Sequence, residues 1–223
     1  AEAAARPAEL GLCGLTASAA VDLLKRREIS PLDLVDAAIA RIERVDPVVN
    51  ALPIRNFDAA RSAAVDSTQR WRRGQPLGAL DGIPVTLKEN IARVGVPMVS
   101  GTAAVEPVPP HQDAPVTART LAAGGIVLGS TVMPDWGMLS SGVSSRHGIT
   151  RSPLDGGLTT GGSSSGAGAA AAAGFGPLHI GTDIGGSVRL PAGWCGVFTL
   201  KPSLGRIPID PPFQGRVAGP MTR

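Results

Sequence analysis

Apolar residues recur at helical spacing through the first third of the chain and gather into short runs after it. Val21, Leu23 and Leu24 predict a first helix over 19–27, with Thr16 or Ser18 as its cap. Leu32, Leu34, Val35, Ala38, Ile39 and Ile42 predict a second. Ser30-Pro31 opens it, because serine caps free N–H groups and proline fits the first helical position. Asp46-Pro47 is expected to end it, since an interior proline removes a hydrogen bond. A third helix is predicted from Phe57 to about Arg72, capped by Asn56. Residues 1–15 read as an irregular lead-in, and the helices are expected to pack outside a sheet.

The pattern then changes. Pro84 to Lys88 reads as a strand, with Thr86 and Lys88 on one face and Val85 and Leu87 on the other. Residues 96–110 form a proline-interrupted loop, and Asp113 is expected to cap a helix with Pro115 in its first turn. That helix ends at Gly124-Gly125 and feeds a strand over 126–130. Strand, crossover helix and strand in this order indicate a mostly parallel sheet. Residues 134–160 form a long polar loop of the kind that usually carries function. Ala167 to Ala173 is apolar all round and predicts a short buried helix, followed by a buried strand from Leu178 to Gly181. Ser187 is expected to begin a last helical turn, with Pro191 near its start.

Composition narrows the classes of function. The 223 residues carry 21 Lys and Arg against 18 Asp and Glu. This small excess is scattered, apart from Lys25-Arg26-Arg27 and the run from Arg70 to Arg73, which read as solvated helix faces. Nucleic-acid binding is not expected. No tract of about 18 apolar residues occurs, so no membrane span is expected, and no signal-peptide pattern is visible at the start. Cys13 and Cys195 make no disulfide framework and favour a reduced, cytoplasmic setting. His111, His147 and His179 lack metal-ligand spacing, and neither a metal nor a cofactor is expected.

Two glycine-serine clusters dominate the rest: Gly161-Gly162-Ser163-Ser164-Ser165-Gly166 and Gly181-Thr182-Asp183-Ile184-Gly185-Gly186-Ser187. Together with the upstream run from Gly82 to Asn90 and the stretch from Gly196 to Pro202, they resemble the amidase signature family of serine hydrolases. The motifs stand in that family's order and spacing, which is far more specific than a lone glycine-flanked serine. The resemblance implies a three-layer α/β/α sandwich around a mixed, largely parallel sheet. It assigns residues 1–75 to a mainly helical lead-in and 76–223 to the sheet core with its catalytic loops.

The chemistry implied is acyl transfer from an amide to water. The resemblance makes Ser187 the nucleophile, with Ser163, after a cis peptide from Gly162, passing the proton to Lys88. A serine hydroxyl is weak until a base takes its proton. Lysine is such a base only when neutral, so a buried Lys88 with a depressed pKa is expected. Backbone N–H groups of Ile184, Gly185, Gly186 and Ser187 can form an oxyanion hole. Thr182, Asp183 and Arg189 are expected to brace these loops, the last two as an ion pair beneath the site. Trp136, Met138 and Leu139 are candidates for an apolar substrate pocket. Ser165 departs from the family pattern, which has glycine there, and is expected to narrow the loop.

Family members are about twice this length, so the second half of the fold is expected from a cut chain or a second polypeptide. The half alone is expected to expose sheet edge and core, and a homodimer is left open. Rival readings are an ammonia-generating subunit of a tRNA-dependent amidotransferase, a glycine-loop phosphate-binding module, and a Ser-His-Asp hydrolase using His147 or His179. The last lacks Gly-x-Ser-x-Gly, because Arg189 stands where the final glycine would be.

Overall fold

A computed structural model describes residues 9–210 and the backbone of Met221–Thr222. Helix α1 is Ala17–Arg26, and of its two candidate caps Thr16 serves, accepting from the Ala19 N–H at 3.1 Å. Helix α2 is Pro31–Val49, opened by a reciprocal cap in which Ser30 and Asp33 bond each other's backbone N–H. It runs through Pro47 instead of ending there. The buried Asp46 carboxylate explains this: it accepts the N–H groups of Ala51 and Leu52 and the Arg55 guanidinium, so the turn comes after Val49. A short strand β1, Ile54–Arg55, follows, and then helix α3, Phe57–Arg73. Asn56 occupies the cap position of α3, but its amide donates to the Val127 carbonyl.

Strands β2, Pro84–Lys88, and β3, Ile126–Thr131, flank helix α4, Pro115–Ala122. Asp113 does not cap α4; it accepts the Val94 N–H at 2.7 Å, and Ala114 takes the cap position. The long loop carries a small hairpin, β4 Val143–Ser144 against β5 Gly148–Ile149. Helix α5 is Ser165–Ala173, strand β6 is Leu178–Thr182, and helix α6, Arg189–Cys195, starts two residues after Ser187. Of the closing Gly219–Arg223 run only the backbone of Met221–Thr222 is described; it forms β7.

The main sheet has the order β1-β3-β2-β6-β7. Its central β3, β2 and β6 are parallel, and β1 and β7 join the edges antiparallel. Helices cover both faces, so the sheet is the middle of three layers. Ile126 and Leu128 pack with α2, α3 and α5, while Val127, Val85 and Leu87 pack on the other face with Ala20 and Leu24 of α1. This alternation sends Lys88 to the same face as α5, and it ends β2 where the two glycine-serine loops meet. Among the described residues no helix is long and apolar enough to cross a membrane.

Candidate active site

Lys88 is fully buried at the end of β2. Its Nζ donates to Ser163 Oγ at 2.8 Å and to Thr182 Oγ1 at 2.9 Å. Burial pushes its pKa down from 10.5 to about 7, against the opposing charges of Glu89 and Asp183. The lysine can therefore hold or release a proton near neutrality, as a general base must.

The Gly162–Ser163 peptide is cis. Gly162 is required by close approach: a Cβ would lie 2.5 Å from the Leu139 carbonyl oxygen and 2.7 Å from that of Ser141. Ser164 ties the two loops together. Its N–H donates to the Ser187 carbonyl at 3.0 Å, and its hydroxyl donates to the Thr182 carbonyl at 3.1 Å. Ser165, expected to narrow the loop, is the first residue of α5 and donates to the Val132 carbonyl. The positive end of the α5 dipole thus faces the loop that carries Ser163.

The second loop turns on Asp183. Its buried carboxylate accepts the Gly186 N–H at 2.8 Å, the Val188 N–H at 3.1 Å and both ends of the Arg189 guanidinium. Burial alone would raise its pKa, but the hydrogen bonds from Arg189, Val188 and Gly186 prevail and hold it at about 2. The carboxylate remains charged and fixes the turn that presents Ser187. Gly186 takes a φ of 117° in that turn, which favours glycine.

The protein-family model described as Amidase matches residues 33–223. The chain belongs to the Amidase family. It is 41% identical over 193 residues to a glutamyl-tRNA(Gln) amidotransferase subunit of Chloroflexus aggregans, over 86% of this chain and 40% of that one. The crystal structure of an amidase superposes with a TM-score of 0.83 at 35% identity, over 87% of this chain and 44% of that one. A bacterial aryl acylamidase of the amidase signature family superposes with a TM-score of 0.81 at 32% identity, over 89% and 42%. The chain thus spans about 40% of the length of the curated relative it matches.

Within this Amidase-family fold, the expected site residues are brought together unevenly. Lys88, Ser163 and Thr182 form one bonded cluster. Ser187 sits on the adjoining loop, half-buried, with its hydroxyl bonded to neither Ser163 nor Lys88. Such contacts commonly tighten only when substrate is bound. Of the expected oxyanion donors, Ile184 and Gly185 are exposed. Gly186 departs from expectation, because its N–H is already given to Asp183. Trp136, Met138 and Leu139 lie about half exposed on the loop that passes Ser163. A cavity of about 690 Å³ lies elsewhere, between the 10–18 segment, α5, β6 and residues 197–200; Lys88, Ser163 and Ser187 do not line it.

Neither histidine candidate meets a serine through its ring. His147 Nε2 pairs with the buried Glu89 carboxylate at 2.9 Å. His179 Nε2 donates to the Gly176 carbonyl, leaving Nδ1 to accept from Thr86, and burial pushes its pKa down to about 4. Three participants are not foreseen from the sequence: Ser164 as the strut between loops, the Glu89–His147 pair behind Lys88, and Asn90, which reaches Thr182 at 3.2 Å. The period-2 pattern of β2 ends at Lys88, so it carries no signal for Glu89 and Asn90.

Proposed function

We propose that the protein is an amidase that hydrolyses a carboxylic amide to acid and amine or ammonia through an acyl-enzyme on Ser187. The observation that carries the reading is a buried lysine, with a pKa near 7, bonded at 2.8 Å to a serine in a glycine loop. In this reading neutral Lys88 takes the Ser163 proton as Ser163 takes that of Ser187. The Ser187 oxygen attacks the amide carbon, and the carbonyl π electrons move onto oxygen. Free N–H groups of Ile184, Gly185 and Ser187 stabilise that oxyanion, each worth on the order of 10²–10³ in rate. Gly186 serves through Asp183, by fixing the turn. Ser163 then returns the proton to the leaving nitrogen and is itself reprotonated by Lys88. Water removes the acyl group by the reverse steps.

No cofactor is required by this scheme. The chain serves as the N-terminal part of one amidase domain, with 1–75 as helical lead-in and 76–223 as sheet core. The rest of the fold comes from more chain or from a second polypeptide. Unpaired Cys13 and Cys195 support a reduced, cytoplasmic setting. The half-exposed Trp136, Met138 and Leu139 favour an apolar acyl group. The test is release of acid and amine from a panel of aliphatic, aryl and peptide amides by the full-length protein. Turnover lost in Ser187→Ala is expected; turnover retained there overturns the assignment.

One observation favours a second reading. The 41% identity to an amidotransferase subunit is compatible with ammonia release from glutamine for a partner. Hydrolysis confined to glutamine, and dependent on added partner subunits, would select it.

A further inference from the structure

Thr182 stands between two groups that settle which way its hydroxyl points. Its Oγ1 lies 2.9 Å from Lys88 Nζ and 3.2 Å from the side-chain amide of Asn90. Its backbone is held on both sides by Ser164, whose hydroxyl donates to the Thr182 carbonyl and accepts the Thr182 N–H. These two bonds hold the Thr182 backbone in place beside Lys88. A hydroxyl has one hydrogen to give and two lone pairs to accept with. With the Asn90 NH₂ turned toward Thr182, two deficits arise. Asn90 Oδ1 is buried without a partner, and the Thr182 hydrogen has no acceptor except the Lys88 nitrogen.

A half-turn about Cβ–Cγ exchanges the two ends of a carboxamide at almost no change in shape. The Asn90 oxygen then receives the Thr182 hydrogen. The exchange moves the NH₂ to the buried position where the Asn90 oxygen finds no donor. It removes the second deficit, and with it a competitor for the lysine. A Thr182 hydroxyl that donates to Lys88 would occupy the lone pair that must take the Ser163 proton.

We propose that Asn90 is a positioning residue: its side-chain oxygen accepts the Thr182 hydroxyl, so that Thr182 can only accept from Lys88 and the lone pair of neutral Lys88 faces Ser163. The inference rests on the reading of Lys88 as the base. The charged groups around Lys88 are Glu89, held by the Met133 N–H and His147, and Asp183, held by Arg189. Their carboxylates are bonded elsewhere, which leaves Asn90 to orient the threonine.

The experiment compares Asn90→Ala, Asn90→Asp and Lys88→Ala in the full-length protein, measuring amide hydrolysis from pH 5 to 10 alongside thermal melts. Asn90→Ala is expected to lower kcat at pH 9 by about 10-fold or more with KM within about 2-fold, a part of what a well-placed base contributes. Asn90→Asp keeps an acceptor oxygen and is expected to recover most of that rate at pH 9. Its acid limb should move to higher pH, because an added carboxylate favours protonated Lys88. Wild-type kcat in Asn90→Ala, with Lys88→Ala inactive, overturns the role of Asn90 and spares that of Lys88. Wild-type rates in Lys88→Ala overturn both. Should Asn90→Ala fail to fold, Asn90→Asp decides: a lost plateau at pH 9 overturns the inference, and a retained plateau with the shifted limb supports it.

Discussion

Replacing Lys88 by methionine should abolish turnover and yet stabilise the fold at neutral and acid pH. The side chain is wholly buried, and burial carries its pKa from 10.5 to about 7. That fall corresponds to about 5 kcal/mol of destabilisation, reached in full only below the folded pKa, where the folded chain must hold the buried proton too. The sign follows from proton binding. Between about pH 7 and 10.5 the unfolded state binds more protons, so stability rises with pH; below 7 the full cost is present, and above 10.5 it is gone. Methionine removes the cost but leaves the Ser163 and Thr182 hydroxyls without the lysine, at about 1–2 kcal/mol each. The net gain at pH 6 is about 1–3 kcal/mol, or about 2–4 °C in Tm for each kcal/mol. Melts of wild type and Lys88→Met from pH 6 to 10 measure it. The variant should melt higher at pH 6, and the gap should close as pH rises. A variant less stable at pH 6, or a gap that does not change with pH, would refute the buried, readily neutralised lysine.

Two further outcomes are expected. The Glu89 carboxylate raises the Lys88 pKa, so Glu89→Gln should move the acid limb of the pH–rate profile to lower pH; an unmoved limb, or one moved to higher pH, contradicts the coupling. Gly162→Ala would drive a Cβ into backbone atoms of Leu139 and Ser141, displacing the Ser163 loop. It should cost about 1–3 kcal/mol of stability and on the order of 10² in kcat, read by denaturant melts and initial rates; wild-type values in both would show that the loop tolerates the extra carbon.

What the sequence discloses is mostly local. Ser30-Pro31 announces α2 because capping chemistry acts within a few residues, and the Val85/Leu87 against Thr86/Lys88 alternation announces β2 because strand faces alternate. The end of α2 is misplaced by sequence because Asp46 is satisfied by Ala51, Leu52 and Arg55 beyond the helix, and no propensity records that. The strand β1 has two residues, too few for a period. The cluster of Lys88 with Ser163 is legible through family resemblance, not periodicity, since the partners lie 75 residues apart. The bond of Glu89 to His147 spans 58 residues and that of Asn90 to Thr182 spans 92, so only the folded chain displays them. Asp183 is foreseen as the partner of Arg189; that it also takes the Gly186 N–H depends on the φ of a single turn.

In the proposed mechanism Ser187 is a nucleophile activated through Ser163 and Lys88. This is tested most directly by treating the full-length protein with a fluorophosphonate and locating the adduct by peptide mass spectrometry, in wild type and in Lys88→Ala. An adduct on Ser187 that falls sharply in the lysine variant is expected. An adduct on another serine, or labelling of Ser187 that is indifferent to Lys88, would contradict it.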